Sequence, residues 1–307
     1  MRKIKIITVI LAFSAFVFVL SQKVDAQTPL SSFAISPPSF DFTANPGDSI
    51  KNSIRVENLS DIPLNITAKP ENFVAYGDSG QVSLTEEDTS YAIDKWINLP
   101  VNIITINPKE SATFEFNVDI PKNTEPGSHY GAIVFSTLSA QTAESTGAFV
   151  QQEIGALILI KIPGDVIEEA NLISFDSKED LYTDTSLTLT ALIENSGTLH
   201  FKPVGRIYIK DIFGNLIQTV EVQSKNILPK NKRQFEENFS FDSIGYYKAE
   251  LELFYKNGEK VIKADTYFTS LNLSKSIPIL LIIGAFGTMY LIFRKRINKA
   301  LMIIIKG

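Results

Sequence analysis

Thr-Phe-Glu-Phe-Asn-Val-Asp-Ile, at residues 113–120, alternates apolar and polar side chains without interruption. A period of two places Phe114, Phe116, Val118 and Ile120 on one face of a β-strand and the polar residues on the other. Such a strand has one face in a core and one in water, as in packed antiparallel sheets. The stretch therefore predicts one strand of a β-sandwich.

Short runs of the same kind recur over residues 27–276, separated by Pro, Gly, Asn and Asp, and no helical period is sustained there. The turn Asn45-Pro46-Gly47-Asp48 is typical, since Pro presets φ and Gly accepts a positive φ. Pro163-Gly164 interrupts the series, and residues 155–162 before it are apolar on both faces, which predicts a central buried strand. We expect an all-β fold of two tandem immunoglobulin-like β-sandwiches, at residues 27–163 and 164–273.

The two ends predict export and membrane attachment. Residues 1–26 combine a basic start, an apolar run and Val24-Asp25-Ala26 before a cut, as in a signal peptide. Residues 277–293 are uncharged and predict one C-terminal transmembrane helix, followed by a short basic cytoplasmic tail at 294–307. By the positive-inside rule we expect a single-pass protein of the cell membrane with an extracellular N-terminal ectodomain.

Composition excludes several function classes. The chain has no cysteine, so it has no disulfide framework and no thiolate site. Residues 27–293 hold 20 of the 29 basic and 33 of the 34 acidic residues, a balance of −13. A surface of that sign repels phosphate backbones and argues against nucleic acid or an anionic wall polymer as the main ligand.

Motifs for catalysis or metal binding are missing from the sequence. His129 and His200 are its only histidines and lack metal-ligand spacing, and no Gly-x-Ser-x-Gly elbow, phosphate-binding loop or dinucleotide fingerprint is present. The acidic clusters Glu86-Glu87-Asp88 and Glu179-Asp180 do not follow the spacing of a calcium loop. Trp96 is interpreted as a core side chain. We therefore expect no catalytic, cofactor-binding or metal-binding residues, and no cofactor.

Five short motifs carry a family resemblance, in this order: Phe33-Ala34-Ile35-Ser36-Pro37, Asn45-Pro46-Gly47-Asp48, Val56-Glu57-Asn58, Trp96-Ile97 and Pro126-Gly127-Ser128-His129-Tyr130-Gly131-Ala132. Together they resemble bacterial surface proteins of the DUF916 type, also called WxL-interacting proteins. The resemblance implies two immunoglobulin-like domains, a signal peptide, a C-terminal membrane helix and binding of the cell wall or of partner surface proteins. The first module is also distantly similar to the pilus-chaperone immunoglobulin fold, which binds partners by strand addition at an edge.

These observations favour a non-enzymatic, membrane-anchored surface protein that binds a cell-envelope polymer or another surface protein. The alternative is an accessory ectodomain subunit of a membrane transport, secretion or signalling complex. A carboxylate-based glycan hydrolase is the third hypothesis, and it requires two carboxylates that converge across a cleft.

Overall fold

The computed structural model of the protein describes residues 32–87, 89–137 and 152–306. Within these ranges the chain forms strands up to Ser270 and one C-terminal helix, which confirms the predicted all-β class for the region before the helix. The predicted signal peptide at residues 1–26 lies outside the described residues. The strands are β1 Phe33–Ser36, β2 Ser39–Thr43, β3 Ser49–Asn58, β4 Leu64–Tyr76, β5 Gln81–Thr85, β6 Ile97–Asn98, β7 Ile103–Ile106, β8 Ser111–Asp119, β9 Gly127–Thr137, β10 Glu153–Ile162, β11 Ala170–Ser177, β12 Leu181–Tyr182, β13 Ser186–Asn195, β14 Val204–Asp211, β15 Leu216–Val222, β16 Lys232–Ser240, β17 Gly245–Tyr255 and β18 Lys260–Ser270.

The first module, made of β1 to β10, is a sandwich of two sheets. One sheet has the order β1-β3-β8-β6, and the other has the order β2-β10-β9-β4-β5, with β7 also paired to β4. Phe114 of β8 meets Phe135 of β9 edge to face across the sandwich, with ring centroids 5.2 Å apart. The alternation at residues 113–120 thus gives the predicted strand, and β10 lies between β2 and β9 as the predicted central strand.

Strand β4 is longer than its sequence pattern predicts. Alternation ends at Ala68, but the strand continues through Pro70 to Tyr76. On one side, β7 pairs with residues 64–67 and β5 with residues 72–76, so neither partner requires an N–H at position 70. Proline is tolerated in a strand where no ladder bond is lost, and β9 supports the same stretch from the other side.

The second module, made of β11 to β18, is a smaller sandwich. Its sheets have the orders β11-β13-β16 and β12-β18-β17-β14-β15, and their inner faces share one hydrophobic core. The dipeptide Asn257-Gly258 predicts a two-residue hairpin loop between β17 and β18. This loop length is wrong, because the last paired residues of the two strands are Tyr255 and Lys260. Lys256, Asn257 and Gly258 all have positive φ, so the chain makes a wider, four-residue turn.

A buried asparagine that donates to backbone carbonyls closes one end of each sandwich. Asn58 ends β3 and Asn195 ends β13, and both side chains are completely buried. The Asn58 amide donates to Ile62 O and Ile106 O at 2.8 and 3.0 Å, and the Asn195 amide donates to Leu199 O and Ile227 O at the same two distances. Each buried amide therefore has carbonyl partners for its N–H groups.

The two modules meet at β9, which is buried on both faces from Gly127 to Phe135. One face enters the core of the first module, while Tyr130, Ala132 and Val134 on the other face pack beneath Leu228 of the second module. This face of β9 is covered jointly, by Tyr91 of the first module, which stacks on Tyr130, and by Leu228 of the second module.

Hydrogen bonds fix the register of this junction. The backbone N–H of His200 donates to Ser128 Oγ at 2.6 Å, and the Ser128 hydroxyl lies 2.7 Å from His200 Nδ1. His200 Nε2 lies 3.0 Å from Asp41 Oδ1. All of these groups are satisfied when His200 is neutral with its proton on Nε2, since Ser128 then donates to Nδ1 and Nε2–H donates to Asp41.

The C-terminal helix, α1, spans Leu273–Lys306. In the part of the chain that the structure describes, no helix combines the length and apolar character needed to cross a bilayer, so the predicted transmembrane helix at 277–293 is not supported. Residues 294–306, predicted as a separate tail, continue the same helix.

We predict that Ser128→Ala destabilises the protein. The substitution leaves the buried N–H and Nδ1 of His200 without partners, which costs about 1–3 kcal/mol. Urea unfolding of the full-length chain in detergent measures this change. Ser83→Ala on the exposed strand β5 is the control and should stay within about 0.5 kcal/mol of the wild type. Equal effects of the two substitutions would contradict the role assigned to Ser128.

We also predict that the free energy of unfolding falls as the pH drops below about 6.5. Burial lowers the pKa of His200 against the opposing hydrogen bond and charge of Asp41, and burial likewise lowers the pKa of His129. Both side chains therefore bind protons more readily in the unfolded chain, so their contribution is present above pH 6.5 and lost below it.

The measurement is urea unfolding at pH 7.5 and pH 5.5, for the wild type and for His200→Asn. The variant should lose less stability between the two pH values, because one of the two buried histidines is gone. A loss as large as that of the wild type, or no loss in the wild type, would show that His200 is not responsible.

Candidate functional site

The histidine and tryptophan considered in the sequence lie together in the first module. His129 and Trp96 are in ring contact, with centroids 4.9 Å apart, and His129 Nε2 bonds to Glu125 O at 3.0 Å. Trp96 is partly buried and packs against the core, in agreement with its interpretation as a core side chain. The contacts of this pair are therefore structural contacts within the first module.

Ser128, His200 and Asp41 form a hydrogen-bonded series of the residue types used in acyl transfer, which sequence spacing gives no means to detect. Ser128 is completely buried, and the side chain of His200 has no solvent exposure. A nucleophile needs access to a substrate, and this serine has none. The series serves the junction between the modules.

The acidic clusters do not form a metal site in the described chain. Among the residues that the structure describes, no group of three or more His, Asp or Glu side chains is placed to hold a metal ion. Asp88 of the first cluster lies outside the described residues. Glu179 and Asp180 are exposed beside β12.

The candidate functional site is a cleft between the two modules, next to the junction, which we call the intermodule cleft. It encloses about 270 Å³. The first module supplies its apolar wall through Phe73, Leu157 and Leu159, and the second module covers it with Leu228. Its polar wall comes from one segment of the second module together with a lysine after β13, and consists of Lys202, Ser224, Lys225, Asn226, Asn231, Lys232 and Arg233.

The rim of the intermodule cleft is held by the turn between β4 and β5. Gln234 N–H donates to Asp78 O at 2.6 Å, joining β16 of the second module to this turn. Arg233 lies directly against Gly80, where a Cβ would fall 1.5 Å from Nη1. The guanidinium therefore occupies the space that a side chain at residue 80 would take.

Arg233 is the most unusual charged group of the cleft. Burial lowers the pKa of Arg233. Its Nε atom is buried and has no hydrogen-bond partner among the described residues. An unsatisfied buried donor of this kind is costly.

Sequence reasoning missed this site because its cations come from separate segments. Lys202 follows β13, whereas Lys225, Lys232 and Arg233 belong to the loop before β16 and to its first residues. Each is an ordinary polar residue in its own segment. Only the packing of the second module on β9 brings them opposite Phe73 and Leu159.

Several of the solved structures that the chain resembles are fimbrial chaperones. The class 5 fimbriae chaperone CfaA is 16% identical with a TM-score of 0.40, and the match covers 78% of this chain and 100% of that chain. The E. coli chaperone DraB is 10% identical with a TM-score of 0.37, covering 76% and 98%. The CupB2 chaperone of Pseudomonas aeruginosa is 9% identical with a TM-score of 0.32, covering 76% and 98%. These values carry no argument about function.

The family comparison is more informative. Among curated proteins, none matches the chain. Residues 23–137 match the family model described as WxL Interacting Protein, peptidoglycan binding domain. This range takes in the first module from β1 through β9, including the motifs at Asn45–Asp48, Trp96-Ile97 and Pro126–Ala132. The resemblance to WxL-interacting proteins predicted from those motifs is thereby confirmed over residues 23–137.

Proposed function

We propose that the protein is a non-enzymatic cell-surface protein that binds peptidoglycan through its first module. The observation that carries this proposal is the match of residues 23–137 to the peptidoglycan-binding domain of WxL-interacting proteins. Within the proposal, residues 27–163 and 164–273 are the two domains. The first domain contacts the cell wall. The second domain forms the polar wall of the intermodule cleft.

The chemistry of the described residues supports binding rather than catalysis. The Ser128–His200–Asp41 series is sealed from solvent, and the intermodule cleft has no Asp or Glu among its described lining residues. Glycan hydrolysis normally requires two carboxylates that flank the scissile bond. The cleft therefore lacks the groups of the hydrolase hypothesis.

The test is co-sedimentation of the full-length chain, kept in detergent, with purified peptidoglycan stripped of bound polymers and proteins. We expect saturable capture, because a specific site fills. Chitin is the matched control, since it has the acetylated amino sugar without the peptides, and it should capture less protein. Failure to capture on peptidoglycan, or release of soluble glycan fragments from it, would contradict a non-enzymatic wall-binding role.

Attachment to the membrane through α1 is the second part of the proposal. Its support is the row of exposed apolar side chains on the helix, among them Leu280, Leu281 and Phe286, which are 65–70% exposed. Arg294-Lys295-Arg296 follows the uncharged run and would meet anionic lipid headgroups. An apolar surface of this kind is stable when lipid or protein covers it.

Deletion of residues 273–307 should move the protein from the membrane fraction to the soluble fraction, because the remaining strands present mainly polar outer faces. Cell fractionation followed by alkaline extraction measures this. Lys109→Gln, an exposed substitution in the first module, is the control and should leave the distribution unchanged. Retention of the truncated chain in the membrane fraction after alkaline extraction would rule out α1 as the attachment.

A further inference from the structure

The intermodule cleft has a charge opposite to that of the exposed chain. Its described lining residues include Lys202, Lys225, Lys232 and Arg233 and no Asp or Glu. Residues 27–293 as a whole carry a balance of −13, from 20 basic and 33 acidic residues. A cationic cleft in an acidic molecule focuses a positive potential at one place.

These cations form no ion pair inside the described chain, and of the four only Lys202 contributes to lowering the pKa of a carboxyl, that of Asp41. None of the ion pairs between described residues includes Lys202, Lys225, Lys232 or Arg233. Elsewhere, lysines such as Lys248 and Lys263 contact carboxylates on neighbouring strands. The cleft cations are therefore available to a charge supplied from outside.

Two buried polar atoms of the cleft also lack partners. Arg233 Nε is a donor and Asn226 Oδ1 is an acceptor, and neither has a hydrogen-bond partner among the described residues. Both residues line the intermodule cleft. Both atoms are enclosed, so a movement of Arg233 and Asn226 toward a ligand that presents an acceptor and a donor, such as an amide N–H or a hydroxyl, would relieve the cost of leaving them unpaired.

The guanidinium of Arg233 lies over Gly80. It occupies the space where a Cβ of residue 80 would fall, and Gly80 has a φ of 79°. A planar guanidinium matches carboxylate and phosphate oxygens through two parallel N–H bonds. Burial beside Leu157 and Leu228 strengthens that attraction, because the local dielectric is low.

We propose that the intermodule cleft is a binding site for a single oxyanion, a carboxylate or a phosphate, carried by a small group that also bears a hydrogen-bond donor. Arg233 holds the oxyanion, Lys202 and Lys225 supply additional positive charge, and Phe73 and Leu159 contact the apolar part of the ligand. A cleft of about 270 Å³ accommodates a terminal group rather than a long chain. A polyanion is disfavoured because the surrounding surface is acidic.

The two sources of such an oxyanion are distinguished by two probes. N-acetyl-D-alanyl-D-alanine presents a peptide carboxylate with an amide N–H beside it, and glycerol 3-phosphate presents a phosphate with hydroxyls beside it. N-acetyl-D-alanyl-D-alanine amide, which lacks the charge, is the neutral control. Each is titrated against the full-length chain in detergent by ligand-observed saturation-transfer NMR.

We expect one of the anionic probes to bind and the neutral amide to bind much more weakly. Arg233→Gln should reduce affinity roughly ten- to hundred-fold, since a charge-assisted hydrogen bond is lost. Arg233→Lys, which keeps the charge but not the planar fork, should give an intermediate loss. Lys51→Gln, an exposed substitution on β3 with the same change in charge, should leave affinity unchanged.

Lys225→Gln provides a second variant in a loop, in case Arg233→Gln unfolds the protein, and it should also weaken binding. Equal affinity for the anion and the neutral amide would overturn the proposal. So would the absence of binding by both anionic probes, or affinity that is the same in Lys51→Gln and in the cleft variants. Peptidoglycan capture by the first module does not depend on these outcomes, so the two proposals fail separately.

Discussion

Strand β9 is buried on both faces, and the rest of the structure depends on this constraint. Its inward side chains complete the core of the first module, and its outward ones, Tyr130, Ala132 and Val134, are as deeply buried. A strand buried on both faces requires a layer on each side. Tyr91 of the first module and Leu228 of the second form that layer, and Ser128 and His200 fix where the second module lies along the strand. The cleft lies beside this contact, and the modules also meet where Gln234 bonds to Asp78.

The first module and the second differ in sequence but share how they end a strand. Asn58 and Asn195 each follow a glutamate, each close a long strand, and each donate to one carbonyl four residues on and to another far along the chain. A Glu-Asn dipeptide does not identify them, because the sequence contains four. The equivalence becomes visible when the hydrogen bonds are compared, because Ile106 and Ile227 are distant in the chain from the asparagines that they contact.

Local patterns were sufficient to predict the strands with a clear period of two, such as β8, and the central position of β10. They failed where a strand is supported by its neighbours rather than by its own pattern, as at Pro70. The intermodule cleft could not be predicted either, since Lys202 and Arg233 converge only through the docking on β9. For α1, a run of apolar residues predicted the helix, but no helix in the described part of the chain is long and apolar enough to cross a membrane.

The burial of Asn58 has a consequence for producing the protein. Asn58-Leu59-Ser60 is an acceptor sequence for N-linked glycans, and the acceptor atom is the amide nitrogen that donates to Ile62 O and Ile106 O. A eukaryotic secretory host adds glycans while the chain is still emerging, before that nitrogen is enclosed. A sugar on Asn58 has no room in the closed sandwich and would remove donors that the strand end requires. The fold is therefore compatible with this sequence only where position 58 is left unmodified.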